Sequence, residues 1–537
     1  MDYRTEAKLW LEHDPDPVTR AELEGLLAAA NDEELADRFS QRLQFGTAGL
    51  RGELGAGPNR MNRIVVAQAA RAIGMFLQAN SADYSKAGGE LRVVIGYDGR
   101  HNSDVFALDS ARVLAGLGLK PMLFDRMVPT PVAAFTGRRL GAAATIMVTA
   151  SHNPPRDNGY KVYLGGKFGG SQLIPPQDSE IAQLIAQTAK SKTFAQIEQS
   201  DSFESLGKNE IDAYVARAKQ LVEADLFSQS SIKITHTALH GVGWSVIDEI
   251  FRGIGLKLLP TIEQQEPDGD FPTVSFPNPE EKGAMDLAIA TAKANGSDLI
   301  LANDPDADRL AVAVSDGESY RMLTGDEVGL LLADRCASAS SEGSLANSLV
   351  SADISAVAKK HGLKYEQTLT GFKWISKVPN LIYGYEEALG YCVDPEHTPD
   401  KDGITAALLI AELAAELKLE NLTLLDHLTN LEKEYGKLAT GQVSIRVSDL
   451  SVISKVMSAV RSNPPAAFGD EELVFEDLLV SKTHRTDAVV LSGERTRMIF
   501  RPSGTEPKLK CYLQYRGSKA ELEALESFAS ELIAGYQ

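Results

Sequence analysis

The chain has 537 residues, enough for roughly three or four domains, and its 43% hydrophobic and 24% charged residues are typical of a globular protein. Its formal net charge of −20 disfavours a nucleic acid or an anionic membrane as a partner, because the summed field repels polyanions. Small anions can still bind where Arg, Lys and backbone N–H groups cluster locally.

Cysteine usage and the N-terminus indicate the compartment. Cys336, Cys392 and Cys511 are far apart and form no CxxC pair, which argues against a disulfide framework or a zinc cluster. The N-terminal segment is acidic and helix-like without an apolar signal region, and no run of about eighteen uncharged apolar residues occurs. We therefore expect a cytoplasmic protein.

The predicted elements begin with helix. The first forty residues place Leu and Ala at helical spacing, and a glycine-rich loop at 45–62 follows. Ser103 is a candidate N-cap for a helix that ends near Leu117. Because strands alternate with helices here, the pattern predicts parallel βαβ units. The strands of this part are predicted at 91–98, 120–125 and 142–150.

The same alternation recurs twice before the pattern changes near residue 440. We expect helices near Ser245 and at 285–294, 326–334 and 404–418, and strands at 232–239, 255–262, 297–303, 348–354 and 380–385. The C-terminal part combines a helix with strands at 487–492, 496–501 and 508–515 and a final helix at 518–536. The sequence thus predicts three α/β domains with mixed sheets and a C-terminal α+β domain, with boundaries at 1–208, 209–320, 321–438 and 439–537.

Ser151 follows an apolar run that reads as a buried strand. In open α/β sheets ligands bind beyond the carboxyl ends of strands, so this serine is a candidate site residue. Taken alone, the spacing favours a turn in which Ser and Asn bond their own backbone. A serine hydrolase is disfavoured because GxSxG is absent, whereas a loop serine can carry a phosphoryl group.

Three aspartates alternate after another strand. Asp304, Asp306 and Asp308 can converge on one hard cation, and three carboxylates between apolar flanks would otherwise repel one another. An EF-hand is excluded because its Gly and Glu positions hold Arg309 and Ser315. The pattern favours magnesium over a solvated acidic turn.

Two further places offer groups that can bind hydroxyls or a phosphate. Glu386 and Glu387 follow a β-rich segment, where a carboxylate can hold two adjacent hydroxyls, although such a pair is more often a helix N-terminus or a solvated face. A second group lies between two strands and offers a guanidinium, two hydroxyls and backbone N–H groups that a glycine allows to surround a phosphate. The alternative is an ordinary hairpin loop. This second group consists of Arg501, Ser503, Gly504 and Thr505.

These motifs, in this order, resemble the α-D-phosphohexomutase superfamily of phosphoglucomutases and phosphomannomutases. The resemblance rests on "TASHNP", "DPDADR", "GYEEALG" followed by "KDG", and "RPSGTEPK", and it covers the chain from about Phe45 onward. "GYEEALGY" and "TGFKW" are most similar to the phosphoglucomutase-2-like branch. The resemblance implies four domains around a central cleft, the first three of them related α/β domains.

The resemblance also assigns roles to residues. Ser151 becomes the phosphoserine, and a phosphate oxygen on it shares one Mg²⁺ per active site with Asp304, Asp306 and Asp308. The other implied catalytic residues are Lys161, as a general acid or base, with Arg51, His152 and Arg309. The implied substrate-binding residues are Thr47, Gly371, Lys373, Glu386, Lys401, Arg501, Ser503, Gly504 and Thr505.

The implied activity is that of a phosphosugar mutase. It moves a phosphoryl group between the 1- and 6-positions of a hexose phosphate, glucose or mannose, through phosphoserine and a 1,6-bisphosphate that also serves as activator. One departure leaves the sugar open: many relatives have Glu-x-Ser where this chain has Glu386, Glu387 and Ala388. The alternatives are a phosphopentomutase, a glucose-1,6-bisphosphate synthase, or a non-catalytic sugar-phosphate sensor.

Overall fold

The structure is a computed structural model that describes residues 2–46, 49–84, 89–447, 449–502 and 508–536. The chain forms two compact units, each built from more than one segment. Unit 1 comprises Met1–Thr324, Leu381–Tyr383 and Leu389–Asn421, and unit 2 comprises Gly325–Asn380, Gly384–Ala388 and Leu422–Gln537.

The N-terminal part of unit 1 is a mixed sheet flanked by helices. Its order is β1-β5-β4-β2-β3-β7, with β6 paired to β5. The strands β2, β3, β4 and β7 run parallel, whereas β1, β5 and β6 pair antiparallel. The elements are α1 (Tyr3–His13), α2 (Pro17–Ala28), α3 (Asp32–Phe39), β1 (Leu50–Glu53), α4 (Arg63–Ala79), α5 (Ser81–Tyr84), β2 (Arg92–Tyr97), α6 (Ser103–Gly116), β3 (Lys120–Phe124), α7 (Thr130–Arg139), β4 (Ala144–Val148), β5 (Asp157–Leu164), β6 (Ser171–Gln172), α8 (Gln177–Ser191) and β7 (Glu204–Leu206).

This sheet has a well-packed apolar core. Every residue of β4 is buried, as expected for a strand covered on both faces. Ile73 and Phe76 of α4 pack in the same cluster as Ile95 of β2 and Ile146 of β4. The core therefore fixes the carboxyl end of β4, after which Ser151 lies.

The second sheet of unit 1 is also mixed, in the order β12-β11-β10-β8-β9. The strands β8, β9 and β10 are parallel, and β11 and β12 add antiparallel hairpins. The elements are α9 (Lys208–Lys219), α10 (Ala224–Ser230), β8 (Ile234–Thr237), α11 (Trp244–Gly253), β9 (Leu259–Pro260), α12 (Asp286–Asn295), β10 (Leu299–Asn303), β11 (Leu310–Ser315) and β12 (Tyr320–Met322).

The third group of elements is shared between the two units. Its strands β13 and β14 pair in parallel from Ser344↔Lys364 to Ser348↔Thr368. The group comprises α13 (Gly325–Ser338), β13 (Ser344–Ser348), α14 (Ser355–Lys360), β14 (Lys364–Thr368), α15 (Phe372–Ile375), β15 (Leu381–Glu386), β16 (Gly390–Cys392) and α16 (Gly403–Leu419).

The C-terminal elements form an antiparallel sheet with helices, in the order β17-β23-β22-β21-β20. A further two-stranded ribbon joins β18 and β19. The elements are α17 (Leu424–Tyr435), β17 (Ala439–Arg446), α18 (Leu450–Ser462), β18 (Ala467–Phe468), β19 (Glu471–Glu472), β20 (Val474–Asp477), β21 (Val489–Ser492), β22 (Thr496–Pro502), β23 (Lys508–Tyr515) and α19 (Lys519–Tyr536).

The predicted four-domain architecture, with mixed α/β sheets and a C-terminal α+β domain, is confirmed. The four boundaries stay predictions. Within the described ranges, none of the helices is both long and apolar enough to cross a membrane.

Two local predictions are wrong. Ser103 is the first residue of α6 rather than its cap, because its hydroxyl bonds Asp98 at 2.7 Å, and Asn102 takes the cap position with φ of 63°. The strand predicted at 348–354 lies earlier, at Ser344–Ser348. The apolar residues Leu349 and Val350 belong to a turn and pack against a second cluster that includes Leu478 and Ile499.

Candidate active site

Ser151 lies just beyond β4, buried and with its backbone in the left-handed region at φ of 51°. Its hydroxyl donates to Asp304 Oδ2 at 2.7 Å. Thr149 supports the bend, since its Oγ1 accepts the N–H of Ser151 at 2.9 Å. The structure thus brings the predicted serine and the first predicted aspartate into direct contact.

The three aspartates occupy the turn between β10 and β11 and are almost fully buried. One carboxylate oxygen from each lies within 4.8 Å of the others. Within the described part of the chain, Asp306 Oδ1 and Asp308 Oδ1 have no hydrogen-bond partner. Because buried carboxylate oxygens need a partner and hard cations prefer oxygen ligands, these side chains fit a divalent metal ion.

The aspartate turn is held by its own backbone and by a neighbouring loop. Asp304 Oδ1 accepts the N–H of Arg309 at 3.0 Å, which closes the turn. The carbonyl of Pro305 accepts the N–H of Val242 at 2.8 Å. Gly241 is required for this close approach, since a Cβ there would lie 2.3 Å from Pro305 Cα.

Two lysines compensate part of the negative charge. Lys161 Nζ donates to Asp306 Oδ2 and to Asp308 Oδ2, both at 2.6 Å, and Lys401 Nζ lies 3.3 Å from Asp308 Oδ2. Burial alone would lower the pKa of Lys161, but Asp306 and Asp308 together raise it. Lys161 is therefore a charged lysine inside an acidic cluster.

The aspartates themselves have opposite pKa shifts. Burial and the charges of Asp306 and Asp308 raise the pKa of Asp304 to about 8. Although burial opposes it, the charges of Lys161 and Lys401 hold the pKa of Asp308 well below its usual range. Burial makes the largest contribution to the raised pKa of Asp304 and the neighbouring carboxylates add to it, so a bound cation would lower this pKa.

The remaining predicted catalytic residues also lie near Ser151. His152 Nδ1 is 3.2 Å from Ser151 Oγ, and burial together with Arg309 and Arg51 lowers the pKa of His152 well below its usual value, so the ring is neutral at pH 7. Arg51, on β1, donates from Nη1 to Asn153 Oδ1 at 3.0 Å. Arg309 Nε lies 3.9 Å from Asp308 Oδ1.

In unit 2, Glu386 binds the predicted sugar loop. Its Oε1 accepts the N–H of Gly371 at 2.7 Å, and Gly371 has φ of 116°, a conformation that favours glycine. Lys373 Nζ lies 5.6 Å from the centroid of the Trp374 ring.

Arg501 lies near the end of β22, opposite Lys510. The predicted residues Thr47, Ser503, Gly504 and Thr505 lie outside the described residues.

The sequence analysis did not identify three residues that contact the candidate site residues. Thr130 Oγ1 donates to Asp306 Oδ2 at 2.6 Å. Asp400 lies 3.4 Å from Lys401 Nζ through its Oδ1, and its Oδ2 accepts the Tyr163 hydroxyl at 2.8 Å. Arg100 binds the backbone of the serine loop. A signal existed for Arg100, since it follows β2 at the same sheet edge as Ser151.

Comparisons with known proteins identify the family of the chain. The chain matches the phosphoglucomutase/phosphomannomutase alpha/beta/alpha domains I, II and III over residues 42–192, 212–317 and 324–435, and the C-terminal domain over 453–532. A Haemophilus influenzae protein named "Probable phosphomannomutase" is 46% identical over 85% of this chain and 93% of its own length.

Two further comparisons extend the match. The phosphopentomutase of Pongo abelii is 34% identical over 99% of this chain and 95% of its own length. The crystal structure of a phosphoglucomutase/phosphomannomutase family protein from Burkholderia thailandensis has the same fold, with a TM-score of 0.71 and 20% identity over 92% of this chain and 97% of that one. The chain therefore belongs to the phosphoglucomutase/phosphomannomutase family within the α-D-phosphohexomutase superfamily, and it is a phosphosugar mutase, an isomerase.

Proposed function

We propose that the protein moves a phosphoryl group between the 1- and 6-positions of a hexose phosphate, glucose or mannose, with Ser151 as carrier. The observation that carries the proposal is the 2.7 Å contact between the Ser151 hydroxyl and Asp304 within the buried aspartate cluster. A phosphate monoester resists hydrolysis, so a phosphoryl group on Ser151 can persist between turnovers.

The bound metal ion is proposed to be Mg²⁺, held by Asp304, Asp306 and Asp308 with a phosphate oxygen on Ser151. When bound, Mg²⁺ neutralises charge on the transferring phosphoryl group. The buried carboxylates exclude water from this side of the serine, since all three are at most 1% exposed. This arrangement favours transfer to a sugar hydroxyl over loss to solvent.

The chain's own residues handle the protons. As the P–O bond to Ser151 breaks and the bond to the sugar oxygen forms, the sugar hydroxyl loses a proton and the serine oxygen regains one. Lys161 is proposed to pass these protons as general acid or base, and His152, 3.2 Å from Ser151 Oγ, to hydrogen-bond the serine oxygen. The second half-reaction reverses these roles and returns the other phosphate of the 1,6-bisphosphate to Ser151.

In unit 2, Glu386 is proposed to bind the sugar hydroxyls. Its Oε1 already accepts the N–H of Gly371, which fixes the carboxylate beside the loop that carries Lys373. Arg501 and the predicted residues of its loop are proposed to bind the phosphate that is not being transferred. A sugar 1,6-bisphosphate is proposed as activator because it loads Ser151. The expectation of a cytoplasmic enzyme stays a prediction.

The test is the phosphorylation state and turnover of Ser151→Ala. The wild-type protein is expected to carry phosphate on the peptide that contains Ser151 after incubation with glucose 1,6-bisphosphate, and the variant is expected to lose both phosphate and activity. Ser228→Ala, at an exposed position on α10, is the matched control. Normal turnover by Ser151→Ala would refute the proposal.

A second candidate is a phosphopentomutase. It is favoured by the relative of that name, whose match includes the N-terminal helices, and by Ala388 where many phosphohexomutases have serine. Turnover of glucose 1-phosphate, mannose 1-phosphate and ribose 1-phosphate, compared as kcat/KM at equal enzyme concentration, separates the two. A ribose 1-phosphate value above both hexose values would replace the hexose assignment and leave Ser151 as carrier.

A further inference from the structure

Arg100 binds the backbone of the serine loop, residues 151–157. It follows β2 and is only 4% exposed. Its Nη2 donates to the carbonyl oxygens of Ser151 and Asn153, both at 2.6 Å. Its Nη1 donates to the carbonyl oxygens of Pro154 at 2.8 Å and Asp157 at 3.0 Å. Four carbonyls of one loop thus converge on a single guanidinium.

The loop needs such a partner because its own backbone bonds are few. Pro154 and Pro155 have no N–H to donate, and Ser151 takes a positive φ of 51° that non-glycine residues avoid unless neighbours impose it. Buried carbonyls without donors are costly, and arginine supplies donors in a rigid fork that lysine cannot reproduce. The shape of the loop therefore depends on the Arg100 side chain.

Arg100 is itself held from two sides. The Asp98 carboxylate accepts the N–H of Arg100 at 3.1 Å and lies 3.6 Å from its Nε. The ring of Phe271 covers the guanidinium, with its centroid 4.9 Å from Cζ. Phe271 N–H binds the carbonyl of Asp268 at 3.1 Å, and Asp268 N–H binds the carbonyl of His240 at 2.9 Å.

The residue after His240 is Gly241, which packs directly on Pro305 of the aspartate turn. A continuous set of contacts therefore runs from the serine loop through Arg100 and Phe271 to the aspartate turn. The serine loop and the aspartate turn, which must meet for phosphoryl transfer, are therefore linked through Arg100 and Phe271.

We propose that Arg100 is a positioning residue for phosphoryl transfer, which holds the Ser151 hydroxyl against Asp304 without touching the substrate. The activity part of this proposal rests on the proposed function, in which Ser151 carries the phosphoryl group. The geometric part does not, since it concerns the loop alone.

The test replaces Arg100 with lysine, which keeps the positive charge but loses the planar set of N–H donors of the guanidinium. Arg100→Lys is expected to lower kcat ~10²-fold with KM changed less than ~2-fold, because the reacting oxygen is misplaced while substrate binding is kept. Amide hydrogen exchange in a peptide spanning 149–160 is expected to rise, and to rise less in a peptide spanning 299–309, which Arg100 reaches only through Phe271. Millimolar guanidinium is expected to restore part of the activity of Arg100→Ala.

The matched control is Arg63→Lys. Arg63 makes a two-point ion pair with Asp109 at 2.7 and 2.9 Å but does not contact the serine loop in the described structure, so kcat and loop exchange are expected to stay at wild-type values.

Wild-type kcat and wild-type loop exchange in Arg100→Lys would overturn the proposal. So would increased exchange spread evenly over the sheet, which indicates a general structural role. If Ser151→Ala remains active, the proposed function fails, and the exchange measurement still decides whether Arg100 orders the loop.

Discussion

The region around Ser151 in unit 1 and the region around Glu386 in unit 2 both carry proposed site residues but are built differently. Around Ser151 the charged groups are buried and meet in direct ion pairs, as in the two 2.6 Å contacts of Lys161. Around Glu386 the side chains are partly exposed, and the main contact is to a backbone N–H. Buried charges need their partners, so the first region tolerates little change, whereas loops that bind substrate can vary.

The largest expected effect tests this contrast directly. Lys161→Ala removes a proton donor, leaves Asp306 without its lysine and leaves Asp308 with Lys401 alone, so kcat should fall ~10³-fold and the protein should lose about 3–5 kcal/mol of stability. Steady-state kinetics and thermal unfolding measure both losses. Lys373→Ala, in the predicted sugar loop, is the matched substitution and should mainly raise KM. Equal effects of the two substitutions on kcat would contradict the contrast.

Metal removal should have the next largest effect. Activity should disappear on dialysis against EDTA and return with Mg²⁺, because the aspartate cluster then regains its counter-charge. If Mg²⁺ binds the folded state as proposed, a concentration of 100 times Kd should add about 2.7 kcal/mol to the free energy of unfolding.

The Mg²⁺-dependent rise in unfolding temperature provides a readout that does not depend on activity. Asp306→Asn should abolish that rise, whereas Asp353→Asn, outside the cluster, should keep it. A full Mg²⁺ response in Asp306→Asn would show that the ion binds elsewhere.

Arg501→Ala should affect binding more than chemistry. Loss of a charge-assisted contact to phosphate should raise KM ~10- to 100-fold and leave kcat nearly unchanged, because a contact made in both the ground state and the transition state is lost. The control is Arg495→Ala, which removes an exposed arginine of the same domain, paired with Asp470 at 3.0 Å. A large drop in kcat for Arg501→Ala would place this residue with the reacting groups instead.

The smallest expected effect is a pH dependence of stability at Glu387. Burial, with the charges of Glu386 and Asp326, raises the pKa of Glu387 to about 7, above its ordinary value of 4.5. The folded protein then binds this proton more tightly than the unfolded chain does. The stabilising contribution of the protonated carboxyl is therefore present below pH 4.5 and is lost as the pH rises through 7.

Glu387→Gln should remove this dependence. Relative to the wild type, its free energy of unfolding should increase between pH 5 and pH 8, by on the order of 1 kcal/mol per pH unit at most. Glu12→Gln, at an exposed position on α1, is the control. A constant difference between Glu387→Gln and wild type over this range would contradict the raised pKa.

The sequence could identify the two candidate loops of unit 1 because both follow strand ends. Ser151 and Asp304 are 153 positions apart, yet the rule that strand ends form the ligand edge identified both. Thr130 was missed because a threonine at that position has no distinctive pattern, and only the tertiary fold places it beside Asp306. Asp400 directly precedes Lys401, but only the tertiary fold brings it to the Tyr163 hydroxyl, 237 positions away. Leu349 and Val350 misled the strand prediction because their apolar character serves packing between domains of unit 2, not a sheet.

That packing has a consequence for substrate length. In unit 2, Leu349 and Val350 share one apolar cluster with Ile499 and Tyr512, and Gln514 Nε2 binds the carbonyl of Ser351 at 2.8 Å. This packing sets the distance between Glu386 and Arg501 within unit 2. Under the roles proposed for these two residues, a sugar phosphate is selected by the distance between its hydroxyls and its phosphate, whichever end of the bisphosphate is being transferred.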